Sequence, residues 1–236
     1  MADDFAFVPG LNNTAAVWSE VIAHLSPGVR AHTFTNPAFR SVDDIARDWL
    51  ARLPDRFFLC GTSFGGYVAC AMLEMAAPRI AGLALVCTSP RGDNEAQLAA
   101  RRKALATAVE SDYVSLVSSQ IAMAVHPDRL NDAALLARRT EMLREYGKER
   151  YIAHLEAAIA RPDRMDVVAR YQGPVLVVAA EQDKLFPVDS LRSLAGEIAA
   201  DIEVIAPSGH LLAMEQPEAL AAALAAWHRR VSGEAG

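Results

Sequence analysis

Short apolar runs recur along the chain, and longer stretches with helical spacing separate them. FAFV (5–8), VRAHTF (29–34), FFLC (57–60), IAGLALVC (80–87), PVLVVAA (174–180) and IEVIA (202–206) predict six strands. Most are apolar at successive positions, as strands are when both faces are covered. Between them, TAAVWSEVIAHL (14–25) predicts an amphipathic helix, and Ser41 with Asp44 predicts a capping box ahead of IARDWLARL. GYVACAMLEMAA (66–77) is apolar nearly all round and predicts a buried helix; residues 217–230 predict the last one. Strands alternating with helices give an α/β fold whose parallel sheet is flanked by helices on both sides.

The rhythm changes between Pro90 and Pro174, where only helical patterns appear, at 94–110, 112–123, 131–146 and 148–160. Residues 91–164 hold 12 of the 23 basic residues and 11 of the 29 acidic ones, so this stretch is near neutral within a chain of net charge −6. The expectation is one domain over 1–236, with an all-helical cap over 91–170 inserted after the fourth strand.

Composition narrows the function. At 236 residues and 52% hydrophobic, the chain is long enough for one large core. The negative balance argues against nucleic acid or an anionic membrane as main partner. No apolar run reaches the roughly 20 residues of a membrane helix. The start, MADDFAFVPG, lacks the basic region of a signal peptide. Cys60, Cys70 and Cys87 sit among apolar neighbours without metal-ligand spacing, which reads as buried thiols in a reducing cytoplasm.

The chemistry centres on Gly61-Thr62-Ser63-Phe64-Gly65, a G-x-S-x-G pattern lying between a predicted strand and a predicted helix. A serine at such a turn holds a strained backbone with its hydroxyl projecting from the sheet edge, and the flanking glycines let strand and helix pack closely. A serine needs a base, and the base needs an orienting group. Of six histidines, only His210 lies in a turn after a strand, in PSGHLLAMEQP. The acid follows the fifth strand, in AAEQDKLFP, with Asp183 as the better-placed residue and Glu181 and Asp93 as rivals. The order Ser63, Asp183, His210 is the order that accompanies this elbow. Backbone N–H groups of Phe64 and, from the loop PGLNN (9–13), Leu11 are the predicted oxyanion donors.

With VPGLNN, GTSFGG, EQD and SGH in this order, the chain resembles the α/β-hydrolases across essentially its whole length. Its likeness is to small carboxylesterase-like members, including the carrier-protein methyl-ester esterases of biotin synthesis; the stretch HPDRL to ARPDR is also similar to that group. Two departures stand out: Pro9-Gly10 replaces the family's usual His-Gly, and the two usual leading strands have no counterpart. The resemblance therefore implies a sheet of six parallel strands in the order 2-1-3-4-5-6. The vacated sheet edge suggests a possible homodimer.

The expected activity is serine hydrolysis of a small or medium carboxylic ester or related acyl substrate, with no metal or cofactor. Competing readings are C–C bond or lactone hydrolysis on the same residues, and a non-catalytic ligand receptor on the same scaffold. Met123, Met142 and Tyr146 are the predicted substrate-contacting cap residues, against the alternative that they pack cap helices together. Arg101, Arg102, Lys103, Arg138 and Arg139 either form a solvated face or attract an acidic carrier or a carboxylated substrate. The expectation is a largely apolar pocket for uncharged acyl chains.

Overall fold

A computed structural model describes residues 3–26 and 28–233. Met1 and Ala2, the start of the stretch weighed as a leader, lie outside the described residues. Strand β1 (Asp3–Val8) shows why successive apolar residues are needed. Its Ala6 and Val8 join one core, while Phe5 and Phe7 join another on the opposite face. With β2 (Val29–His32), β3 (Phe57–Thr62), β4 (Ile80–Val86), β5 (Val175–Ala180) and β6 (Asp201–Ile205) it forms one sheet, ordered β2-β1-β3-β4-β5-β6. Every pair is parallel, as expected.

The connections carry α1 (Ser19–Ala23), α2 (Val42–Arg52) and α3 (Phe64–Ala76). After β4 come α4 (Glu95–Glu110), α5 (Tyr113–Ser118), α6 (Ala133–Tyr146), α7 (Lys148–Ala160) and α8 (Met165–Arg170). Helix α9 (Val188–Glu197) links β5 to β6, and α10 (Leu212–Glu215) and α11 (Pro217–Ser232) follow. Residues of α2, α3, α8 and α9 fill the core on one face, and those of α1, α10 and α11 fill the core on the other. The segment between β4 and β5 is helical throughout its regular elements and has its own core, with Tyr113, Leu143, Tyr146, Tyr151 and Leu155. No described helix is long and apolar enough to cross a membrane.

Several boundaries differ from the pattern. The helix expected over 14–25 is a 3-10 turn (Ala15–Trp18) followed by the short α1, and the Ala15 N–H at its start is taken by Thr35 Oγ1 at 3.1 Å. Strand β2 stops at His32, where the Thr33 hydroxyl donates to Phe7 O at 2.9 Å. The 112–123 helix splits into α5 and a 3-10 turn at Ile121–Met123. Ser41 does cap α2 by accepting from the Asp44 N–H, but among the described residues the complete capping box is at Asn94 and Gln97, opening α4.

Strand β3 and helix α3 are separated by Ser63 alone, a shorter turn than the pattern implied. The glycines permit this by steric necessity. A Cβ on Gly61 would lie 2.5 Å from Gly65 O, and one on Gly65 would lie 2.3 Å from Val8 O. Both obstacles are backbone, which has no rotamer to yield.

The helical segment is fastened to the rest of the fold through two buried residues, Arg164 and His154. Arg164 donates to Glu74 Oε2 at 2.9 Å and to Asp43 Oδ1 at 2.5 Å. His154 on α7 is fully buried, stacks on Phe64 and donates from Nε2 to Pro37 O at 2.7 Å. Its Nδ1 accepts from the Tyr146 hydroxyl. Both ring nitrogens are satisfied by the neutral form, and burial lowers its pKa from 6.5 to about 4.

Two stability predictions follow from these contacts. Gly65→Ala should cost about 2 kcal/mol or more, lowering Tm by roughly 5 °C. The open helical Gly196 has nothing near its Cβ position, so Gly196→Ala should gain up to about 1 kcal/mol; equal shifts in thermal melts would contradict the steric account. For His154, the unfolded chain takes up a proton as pH falls below 6.5 while the folded chain resists until about 4. Stability should therefore drop across that window, and His154→Gln should flatten the slope of urea midpoint against pH.

Candidate active site

Ser63 sits at φ 51, ψ −120, a backbone conformation that side-chain-bearing residues seldom adopt. Local hydrogen bonds hold it there. Its N–H donates to Val86 O at 3.0 Å, and its carbonyl accepts from the Thr88 hydroxyl at 2.7 Å and the Gly66 N–H at 2.9 Å. The N-terminus of the 13-residue α3 begins at the next residue and favours negative charge nearby.

The loop after β6 brings His210 to this hydroxyl, with Nε2 2.9 Å from Ser63 Oγ. Its Nδ1 lies 2.8 Å from Asp183 Oδ2. The other carboxylate oxygen accepts the N–H groups of Leu185 at 2.8 Å and Phe186 at 3.0 Å, which locks the Asp183 rotamer. Asp183 is 5% exposed and His210 8%. A buried carboxylate at Nδ1 places the ring proton there and leaves the Nε2 lone pair for the serine O–H. The Phe186 ring stacks on the imidazole at 5.8 Å.

The rivals are placed elsewhere. Glu181 is exposed and accepts from the Gln182 side chain. Asp93 lines the far part of the cavity; burial alone would raise its pKa, but hydrogen bonds from Arg161 and Arg101 hold it below the usual carboxylate range. Among the other histidines, His32 pairs with Asp4, His228 with Asp3, and His154 is engaged as above. The three thiols are buried, and burial pushes them up, Cys70 to about 12. The Cys87 sulfur, an Asp183 oxygen and a His210 nitrogen lie within 4.8 Å of one another, the one such cluster with metal-ligand spacing among the described residues. The hydrogen bonds just described engage its carboxylate and imidazole.

Leu11 and Phe64 both line the cavity in front of Ser63. Neither backbone N–H donates to an acceptor among the described residues. The loop carrying Leu11 is held by Asn36, which donates to Pro9 O at 2.9 Å and accepts from Trp49 Nε1 at 2.7 Å. Sequence reasoning missed Asn36 and Thr88, and also Glu215, whose carboxylate accepts the Gly209 N–H at 3.0 Å and the His126 N–H at 2.7 Å. Glu215 follows His210 by five residues in the same motif, so the signal was an acid inside an otherwise apolar stretch.

The cavity measures about 1440 Å³. Met123 lines it, but Met142 and Tyr146 do not. Met142 is buried in the core shared with α11, and Tyr146 in the core of the helical segment, where its hydroxyl serves His154. The wall is also less apolar than expected. Ile121, Val117 and Leu143 share it with Arg101 and Arg139, while Arg102, Lys103 and Arg138 are exposed on the helix surfaces.

Known proteins match this chain closely in fold. Residues 5–223 match the model of the alpha/beta hydrolase family. A pimeloyl-[acyl-carrier protein] methyl ester esterase of Vibrio vulnificus is 24% identical over 91% of this chain and 90% of its own length. One from Pectobacterium carotovorum is 33% identical, but over only 37% of each chain. A thermophilic esterase from Thermogutta terrifontis, solved with malate bound, superposes with a TM-score of 0.90 at 24% identity, covering 97% of this chain and 90% of that one. The match spans the sheet, the elbow at Ser63 and the loops bearing Asp183 and His210, and this chain belongs to the alpha/beta hydrolase family.

Proposed function

We propose that the protein is a serine hydrolase of small or medium carboxylic esters acting through an acyl-enzyme. The observation that carries this is the continuous hydrogen-bonded chain Ser63–His210–Asp183, opening on a large cavity beside two free backbone amides. Ser63 Oγ attacks the ester carbonyl while His210 Nε2 takes its proton. The Phe64 and Leu11 N–H groups hold the tetrahedral oxyanion. Collapse breaks the bond to the alcohol, which leaves with the proton from His210. Water, deprotonated by the same nitrogen, then attacks the acyl-enzyme and frees the acid. Asp183 stays ionised and stabilises the imidazolium. The methyl ester esterase relatives support a carboxylic ester as the substrate.

Ser63→Ala and His210→Ala should abolish release of p-nitrophenol from p-nitrophenyl esters and labelling by a fluorophosphonate. Asp183→Asn should lower kcat by about 10⁴ through the wrong tautomer. Glu181→Gln should stay close to wild type. Retained labelling in Ser63→Ala, with circular dichroism showing a folded chain, would refute the assignment.

A further inference from the structure

The cavity wall runs against the sign of the chain. The protein has a net charge of −6. Yet five cationic side chains, Arg91, Arg101, Arg139, Arg161 and Lys184, line the cavity against two carboxylates, Asp93 and Asp189. Protein partners account for most of them. Arg91 pairs with Glu197, Arg101 and Arg161 share Asp93, and Lys184 donates to Ala122 O at 2.8 Å.

Arg139 is different. It is 7% exposed, and among the described residues no carboxylate forms a salt bridge with it. Its Nη1 donates to two neutral acceptors, Asn12 O at 2.6 Å and Asn13 Oδ1 at 2.5 Å. Its Nε and Nη2 make no hydrogen bond among the described residues, and neither is among the polar atoms sealed from solvent. Arg139 lines the same cavity as Ser63 and His210, with these donors uncommitted to protein acceptors.

A guanidinium held inside a protein without a counter-charge is costly. Burial lowers its pKa to about 10, so at neutral pH it keeps its charge. The planar fork offers two free donors with the spacing of a carboxylate's oxygens. A missing counter-charge at the wall of a reaction cavity marks the place where a ligand supplies it.

Building on the serine-hydrolase reading, we propose that Arg139 is the anion-recognition group of the cavity and that the esters cleaved are half-esters of short dicarboxylic acids. The free carboxylate of the acyl part binds the uncommitted donors of Arg139 while the ester carbonyl lies at Ser63. This replaces the uncharged acyl chain suggested by the sequence. Because the guanidinium is buried, the preference should persist at physiological ionic strength, unlike one arising from the exposed Arg102, Lys103 and Arg138.

The test compares kcat/KM for monomethyl glutarate and for methyl valerate, which has a methyl group in place of the carboxylate. Wild type should prefer the charged ester by about tenfold or more, and Arg139→Gln should reduce that ratio by about 30-fold or more. Arg139→Lys should retain part of the preference. In parallel, calorimetry on Ser63→Ala should show glutarate binding more tightly than valerate; this decides the matter if Arg139→Gln does not fold. Absence of both preferences, or equal loss on both esters in a folded Arg139→Gln, would reduce Arg139 to a strut for the 9–13 loop. Tight glutarate binding without turnover of either ester would count against the hydrolase reading and leave the subsite standing.

Discussion

The close approach of β3 and α3 is the constraint on which the rest of this structure depends. One residue reverses the chain from strand to helix, and that residue carries the hydroxyl. The backbone of β1 passes so near that Gly65 has no room for a methyl group. Crowding of this kind has a positional consequence: the Ser63 carbonyl and N–H are both held by neighbouring backbone or by Thr88, so the side chain has a fixed point of departure. A strained residue persists when its surroundings over-determine it. Here the surroundings are the two central strands, β3 and β4, and the most deeply buried helix of the fold.

Polar groups around the site sort into two kinds. Neutral backbone groups are closed off by single side chains placed for the purpose, as Asn36 does for Pro9 and Glu215 for Gly209. Charges in the wall are paired in most cases, as Asp93 is by two arginines. Two amides without acceptors and a buried guanidinium without a carboxylate line the cavity in front of Ser63. Buried polar groups are ordinarily satisfied, so an uneven distribution of unsatisfied ones gives the cavity a direction, with donors and positive charge on the side of the 9–13 loop.

Much of this was legible in the sequence, for a physical reason. Ser63, Asp183 and His210 each follow an apolar strand, and parallel strands deliver their C-terminal ends to the same edge of a sheet. The order of the strands came from the family resemblance, and the sheet has it. What the sequence concealed was the orientation of helix faces. Arg138 and Arg139 are adjacent in a charged run, yet a turn of about 100° about the α6 axis leaves one exposed against Glu20 and the other buried at the cavity wall. Met142 and Tyr146 failed as cavity residues on the same ground, since a helix apolar on several sides does not state which neighbour each side meets. Asn36 and Thr88 were invisible because a lone polar residue that caps one carbonyl has no pattern.

The bridge made by Glu215 bears on how this fold diversifies. One carboxylate holds the amide before His210 and an amide of the helical segment, so the histidine loop and that segment share a fastening. A lineage that exchanged or shortened the segment around His126 would leave that buried oxygen without its donor. It would also loosen the loop that sets the imidazole. The inner edge of the helical segment is therefore coupled to the histidine loop through Glu215, whereas its outer helices are not tied by this bridge.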